Sequence, residues 1–196
     1  MSDSQLLADF DLILDAHQRL VEGVRSDQWT AATPCTEWDV RALVFHVTTG
    51  NRLFAAIADG ERPEGPQGLQ ELRLRLAPGA NQDPVDAFRA SAQQLRASFS
   101  RPGFLEGSYL TPLGEGGGEL MVRMRTTETL VHGWDLGRAT GQAPQFPDGV
   151  VEGALAMVRA SLTGRPRAGS MFGAEQPAPE GAPPLDRLAA FLGRSL

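Results

Sequence analysis

The chain of 196 residues contains no lysine; all 18 of its basic residues are arginine. That absence excludes Schiff-base chemistry on a lysine and the lysine of a phosphate-binding P-loop. Cysteine occurs once, at Cys35, so no intrachain disulfide can form and nothing demands an oxidising compartment. No apolar run approaches the roughly 20 residues of a membrane span. The first residues, MSDSQLLADFDLILD, carry acids where a secretory signal would carry bases, so a cytoplasmic protein is expected. With 24 acidic against 18 basic residues the net charge is −6, which leaves no basic footprint for nucleic acid or an anionic membrane. Strand signals are nearly missing too.

What is present is helical periodicity, over a length that suits a single domain spanning residues 1–196. From Gln5 to Val24 the stripe Leu6, Phe10, Ile13, Leu14, Leu20 and Val21 recurs at the helical period, with His17 on the same face. TPCTEWDV then reads as a helix start, with Thr36 as cap and Asp39 at the capping-box position. This second helix runs to about Ala58, where DGERPEGPQG ends it. Its apolar arc includes Leu43, Val44, Val47 and Phe54; His46 sits near one edge, and Gly50 leaves room beside it. Asp83 and Pro84 open a third helix that stops before RPG. Residues 104–119, FLEGSYLTPLGEGGGE, read as a Gly-rich connection. A fourth helix from about Leu120 to Ala139, closed by Gly141, turns Met121, Met124, Glu128, Val131, His132 and Asp135 inward. A fifth covers roughly Asp148 to Leu162, an irregular strap covers 164–184, and LDRLAAFLG closes the chain. The fold class is all-α, a four-helix bundle with additional short C-terminal helices.

The chemistry concentrates in ETLVHGWDLG. Glu128 and His132 stand four positions apart and project from one helix face, close enough to share an ion. A solvated surface pair is the plain alternative, but the stripe puts both on the buried side, where an unpaired carboxylate costs several kcal/mol. With no lysine available and Arg125 angled away, a divalent cation meets that requirement. His46, on a facing helix, is the natural third ligand, and two His with one carboxylate suit catalytic zinc and also non-haem iron. His17 offers a fourth ligand or a pocket wall, the ligand role being the less favoured. Asp135 can orient the His132 ring or pair with Arg138. Arg52 or Arg125 can bind an anionic substrate. Cys35, near a helix start, reads as a buried structural thiol before a reactive one. GEGGGE lacks the glycine spacing of a dinucleotide loop, and AGSMFG lacks the glycines of a nucleophile elbow.

TPCTEWDVRALVFHVTTG and ETLVHGWDLGRATG together resemble the DinB/YfiT-like metal-binding superfamily, in its actinobacterial branch with mycothiol-dependent maleylpyruvate isomerase; FG…LDRLAAFLGR is similar to that group as well. The resemblance implies a four-helix bundle holding a divalent metal, usually zinc and sometimes nickel. Carried over by position, the ligands are His46, Glu128 and His132. It further implies a low-molecular-weight thiol of the mycothiol type as cofactor or co-substrate, acting on a small anionic or electrophilic substrate by isomerisation or S-transfer. The isomerase carries a further C-terminal domain, for which this chain has room only for a strap and a short helix. A metal-binding stress protein without turnover and a metal-free interaction module are the alternatives, and a homodimer is compatible with each.

Overall fold

The structure is a computed structural model that describes residues 2–164 and 172–196. Four helices form the bundle: α1 (Asp3–Glu22), α2 (Val40–Ala58), α4 (Pro84–Phe99) and α5 (Gly118–Thr140). α1 packs on α4 and α5, and α2 packs on the same two, so the four close a ring with α1 and α2 on opposite corners. The expected stripes meet at its centre: Phe10, Ile13 and Leu14 of α1, Leu43 and Val44 of α2, Phe88 and Leu95 of α4, and Met121 and Leu130 of α5 are all buried. Arg96 of α4 reaches Asp11 and Asp15 of α1, tying those two helices at the surface. α6 (Asp148–Leu162) and α7 (Pro184–Phe191) pack on each other and on α5, as the short C-terminal additions required.

Two elements were not expected. α3 (Gly65–Leu76) begins inside the DGERPEGPQG stretch that ends the second helix and runs on through residues given no element in the sequence, and it buries only Leu72, too little to print a stripe. The Gly-rich connection contains a hairpin, β1 (Ser108–Thr111) against β2 (Gly114–Gly117), antiparallel, with Ser108 opposite Gly117 and Thr111 opposite Gly114. β2 feeds straight into α5, which therefore begins at Gly118 and not at Leu120. A Cβ on Gly118 would stand 2.4 Å from the Phe104 carbonyl oxygen, so glycine here permits a close backbone approach.

The start of α2 also moves. Its cap is Asp39, whose Oδ1 accepts from the Ala42 N–H at 2.8 Å, and Thr36 lies in the turn before it. The first-turn N–H groups of Val40 and Arg41 donate to the carbonyls of Ala31 and Trp29, so the preceding segment completes the helix end. That segment holds Trp38 against the side of α2, next to His46. Of the expected strap, residues 165–171, with most of AGSMFG, lie outside the described residues. From 172 to 183 the chain is irregular, fastened by the Gln176 N–H to the Ala190 carbonyl at 2.9 Å. Among the described residues no helix is long and apolar enough to cross a membrane.

Candidate metal centre

α2 and α5 lie side by side, and their facing turns bring His46, Glu128 and His132 together, with ligand atoms all within 4.8 Å of one another. Glu128 Oε2 lies 3.4 Å from His46 Nε2 and 3.5 Å from His132 Nε2. The two imidazoles meet edge to face at 4.9 Å. Trp38 stacks on His46 at 4.0 Å and meets His132 edge-on at 5.7 Å, restricting both rings.

Each ring is also held from behind through Nδ1. His132 Nδ1 is 3.0 Å from Asp135 Oδ2, and Asp135 is fully buried. Arg194, near the C-terminus, donates from Nε to Asp135 Oδ1 at 3.1 Å and from Nη2 to Oδ2 at 2.9 Å. The partner of Asp135 is thus Arg194; Arg138 instead lies over the Trp134 ring. On the other side Arg73 of α3 donates from Nη2 to His46 Nδ1 at 2.7 Å. Two Nε2 atoms turned toward one carboxylate oxygen make the donor set of a cation with two His and one Glu ligand, and behind His132 Asp135 supplies the acceptor that such a ligand uses; the donor behind His46 does not.

The electrostatics of the cluster agree. Burial opposes the charge on Glu128, but His132 and His46 outweigh it and hold the carboxyl well below the usual range. Burial likewise opposes protonation of His132, yet hydrogen bonds to Asp135 and Glu128 raise its pKa. Burial carries His46 the other way, down to about 4, against the pull of Glu128. A carboxylate is therefore kept ionised between two imidazoles, the charge state in which it ligates a divalent ion.

The cluster opens on a cleft of about 360 Å3, walled by Trp38, Phe54, Met124, Pro112 from the hairpin turn and Phe172. Three arginines also line it: Arg73, Arg125 and Arg194. Arg125 does not angle away. It is 2% exposed, donates to Asn51 Oδ1 at 2.8 Å, and Asn51 in turn donates to Ser91 Oγ at 3.1 Å. Burial lowers its pKa to about 10, which leaves it charged at neutral pH. It also occupies the space expected beside Gly50, where a Cβ would come within 2.5 Å of Arg125 Nη1.

Arg52 does not reach the cleft; it donates to the Leu76 carbonyl and Gln82 Oε1 and fastens α2 to the end of α3. His17 is not brought to the cluster. It is buried in the core, with Nδ1 2.9 Å from the Thr129 carbonyl and its ring stacked on Phe88. Cys35 lines the cleft, but five residues ahead of α2 it gains nothing from the helix start, and burial pushes its thiol up. Trp38, Arg73 and Arg194 were missed in the sequence. Arg194 lies in the closing LGR of a recognised segment, while Arg73 sits on the helix that had no stripe.

Comparison with known proteins places the chain in a family. Residues 10–137 match the family described as the mycothiol maleylpyruvate isomerase N-terminal domain, a stretch that contains all three candidate ligands. The chain belongs to that family. It is 36% identical over 185 residues to Uncharacterized protein Rv0738 and to Uncharacterized protein MT0763, each from a strain of Mycobacterium tuberculosis, with 93% of either chain covered. Among solved structures it resembles mycothiol-dependent maleylpyruvate isomerase, with a TM-score of 0.65 at 16% identity over 88% of this chain and 75% of that one. A mutant of that enzyme gives 0.64 over 80% and 68%. At such identity the likeness shows a shared fold.

Proposed function

We propose that the protein is a divalent-metal-dependent enzyme that uses a low-molecular-weight thiol of the mycothiol type, for isomerisation or S-transfer on a small anionic or electrophilic substrate. The observation that carries this reading is the convergence of His46 Nε2, His132 Nε2 and Glu128 Oε2 on one point at the floor of an arginine-walled cleft. Family membership supports the thiol. The donor set fits zinc first, with nickel or iron also accommodated. A divalent ion there would supply Lewis acidity and lower the pKa of a thiol sulfur brought to it.

The chain's own residues do the rest. His46, His132 and Glu128 leave one side open toward the cleft, as a site for chemistry requires and a structural site does not. Asp135 fixes the His132 ring with Nε2 forward, and Trp38 keeps both rings from rotating. Three arginines line the cleft with two carboxylates, Glu37 and Glu128, and the buried Asp135 stands behind His132. With a divalent ion, and Asp135 counted, these groups would be positive by two charges, which favours anionic ligands. Apart from the candidate ligands, Glu37 and Cys35 are the cleft's proton-exchanging side chains among the described residues. So sparse a set also suits a protein that binds an ion without turnover.

Thermal unfolding of the zinc-loaded protein separates these readings. The enzyme reading expects Tm to rise with mycothiol and to stay unchanged with unrelated thiols of equal concentration. An equal response to every thiol, or to none, contradicts it.

A further inference from the structure

A ligating imidazole donates its other ring N–H to a carboxylate, a carbonyl or water, which fixes its tautomer. His132 has such an acceptor in Asp135. His46 has none among the described residues: the group against its Nδ1 is the Arg73 guanidinium, at 2.7 Å. A guanidinium only donates. In that contact Nδ1 accepts, so the single proton of the neutral ring sits on Nε2, facing Glu128 Oε2. A protonated Nε2 cannot ligate an ion. Once Nε2 ligates, the ring carries its proton on Nδ1, and two N–H donors point at each other. The Arg73 contact and ligation by His46 therefore exclude one another.

Among the described residues, Arg73 has no ion pair to give up on leaving the ring. Two residues along, Arg75 pairs with Glu61 at 2.6 Å, and Arg52 is engaged with the Leu76 carbonyl. Arg73 makes no carboxylate ion pair among the described residues, lies half-buried on α3, and lines the cleft. α3 buries only Leu72, so its long side chain can withdraw from the ring without unpacking the bundle.

We propose that the missing acceptor is brought by the ligand: a carboxylate inserts between Arg73 and His46, accepting the guanidinium's paired N–H groups on one side and the His46 Nδ1–H on the other. A planar fork and a carboxylate match in geometry. The ring proton moves from Nε2 to Nδ1 by exchange with water, with no net uptake or release. This rests on the metal reading above and adds to it a carboxylate subsite, one ligand shell behind the ion and formed only when the ion is in place. The ion and the carboxylate then favour each other's binding, and that coupling is reciprocal.

The test uses metal-stripped full-length protein and its Arg73→Met variant, with zinc affinity measured by chelator competition. Buffers contain chloride alone, acetate at the same ionic strength, or the neutral analogue acetamide. Wild type is expected to bind zinc about fivefold or more tightly in acetate than in chloride, with no gain from acetamide. Arg73→Met is expected to bind zinc more tightly than wild type in chloride, because the opposing donor is gone, and to lose the acetate response. Nitrogen-15 spectra of the imidazoles give a second reading, simplified by a total of three histidines. Stripped wild type should show His46 protonated on Nε2, and the zinc form should show it protonated on Nδ1. An acetate response of the same size in Arg73→Met, or a stripped His46 protonated on Nδ1, overturns the subsite alone. Failure of wild type to take zinc in any buffer overturns the metal reading and the subsite with it.

Discussion

Asp135 accepts from the His132 ring and from two nitrogens of Arg194 while fully buried, so its loss strands three donor nitrogens on two residues at once. Removing one partner from a buried pair costs about 3–5 kcal/mol, and removing the group behind a ligating histidine weakens metal binding by about 10–100-fold. Asp135→Ala should show both, in urea unfolding and in zinc competition; an affinity unchanged from wild type would remove Asp135 from the site. His17 sets a pH dependence of its own. Burial lowers its pKa from 6.5 to about 4, while the unfolded chain keeps the ordinary value. Between those limits the unfolded state binds more protons, so stability rises with pH across the window and is lost as pH falls from about 6.5 toward 4. The full difference amounts to about 3 kcal/mol. His17→Asn keeps a donor for the Thr129 carbonyl and should flatten that part of the profile. A pH profile parallel to wild type would contradict the assignment.

At the scale of elements, the packing of the α5–α6 connection onto α5 depends on a small residue, which also faces α1. A Cβ at Gly133 would meet the Phe146 ring at 2.5 Å and His17 Nδ1 at 3.3 Å. Gly133→Ala should therefore cost about 1–3 kcal/mol by overpacking, read in thermal or denaturant unfolding. A neutral or stabilising result would mean that the segment around Phe146 yields freely. The four bundle helices were legible because each carries a long apolar stripe, and Glu128 and His132 were legible because they fall on one of them. His46 needed the further step of pairing two helices. α3 and the hairpin left no such mark: α3 buries a single leucine, and β2 is GEGG, with no alternation to read. For the same reason Arg73 was invisible. The direction of Arg125 was misread because its inward path depends on Gly50 of a different helix and on Asn51 to receive it.

For the molecule as a whole, the ring of α1, α4, α2 and α5 is the frame that brings two imidazoles and a carboxylate together, and the elements outside it add to the walls of the cleft. α3 brings Arg73, the hairpin brings Pro112, and the chain after α7 brings Arg194. The fold is shared with mycothiol-dependent maleylpyruvate isomerase over 88% of this chain. The central claim is that the frame holds a divalent ion. Metal content by elemental mass spectrometry, on tag-free wild type and on His46→Ala and Glu128→Ala, tests it most directly. The account predicts about one equivalent of zinc, nickel or iron per chain in wild type and its loss in both variants. Wild type that stays metal-free after reconstitution, or variants that retain the ion, would contradict it.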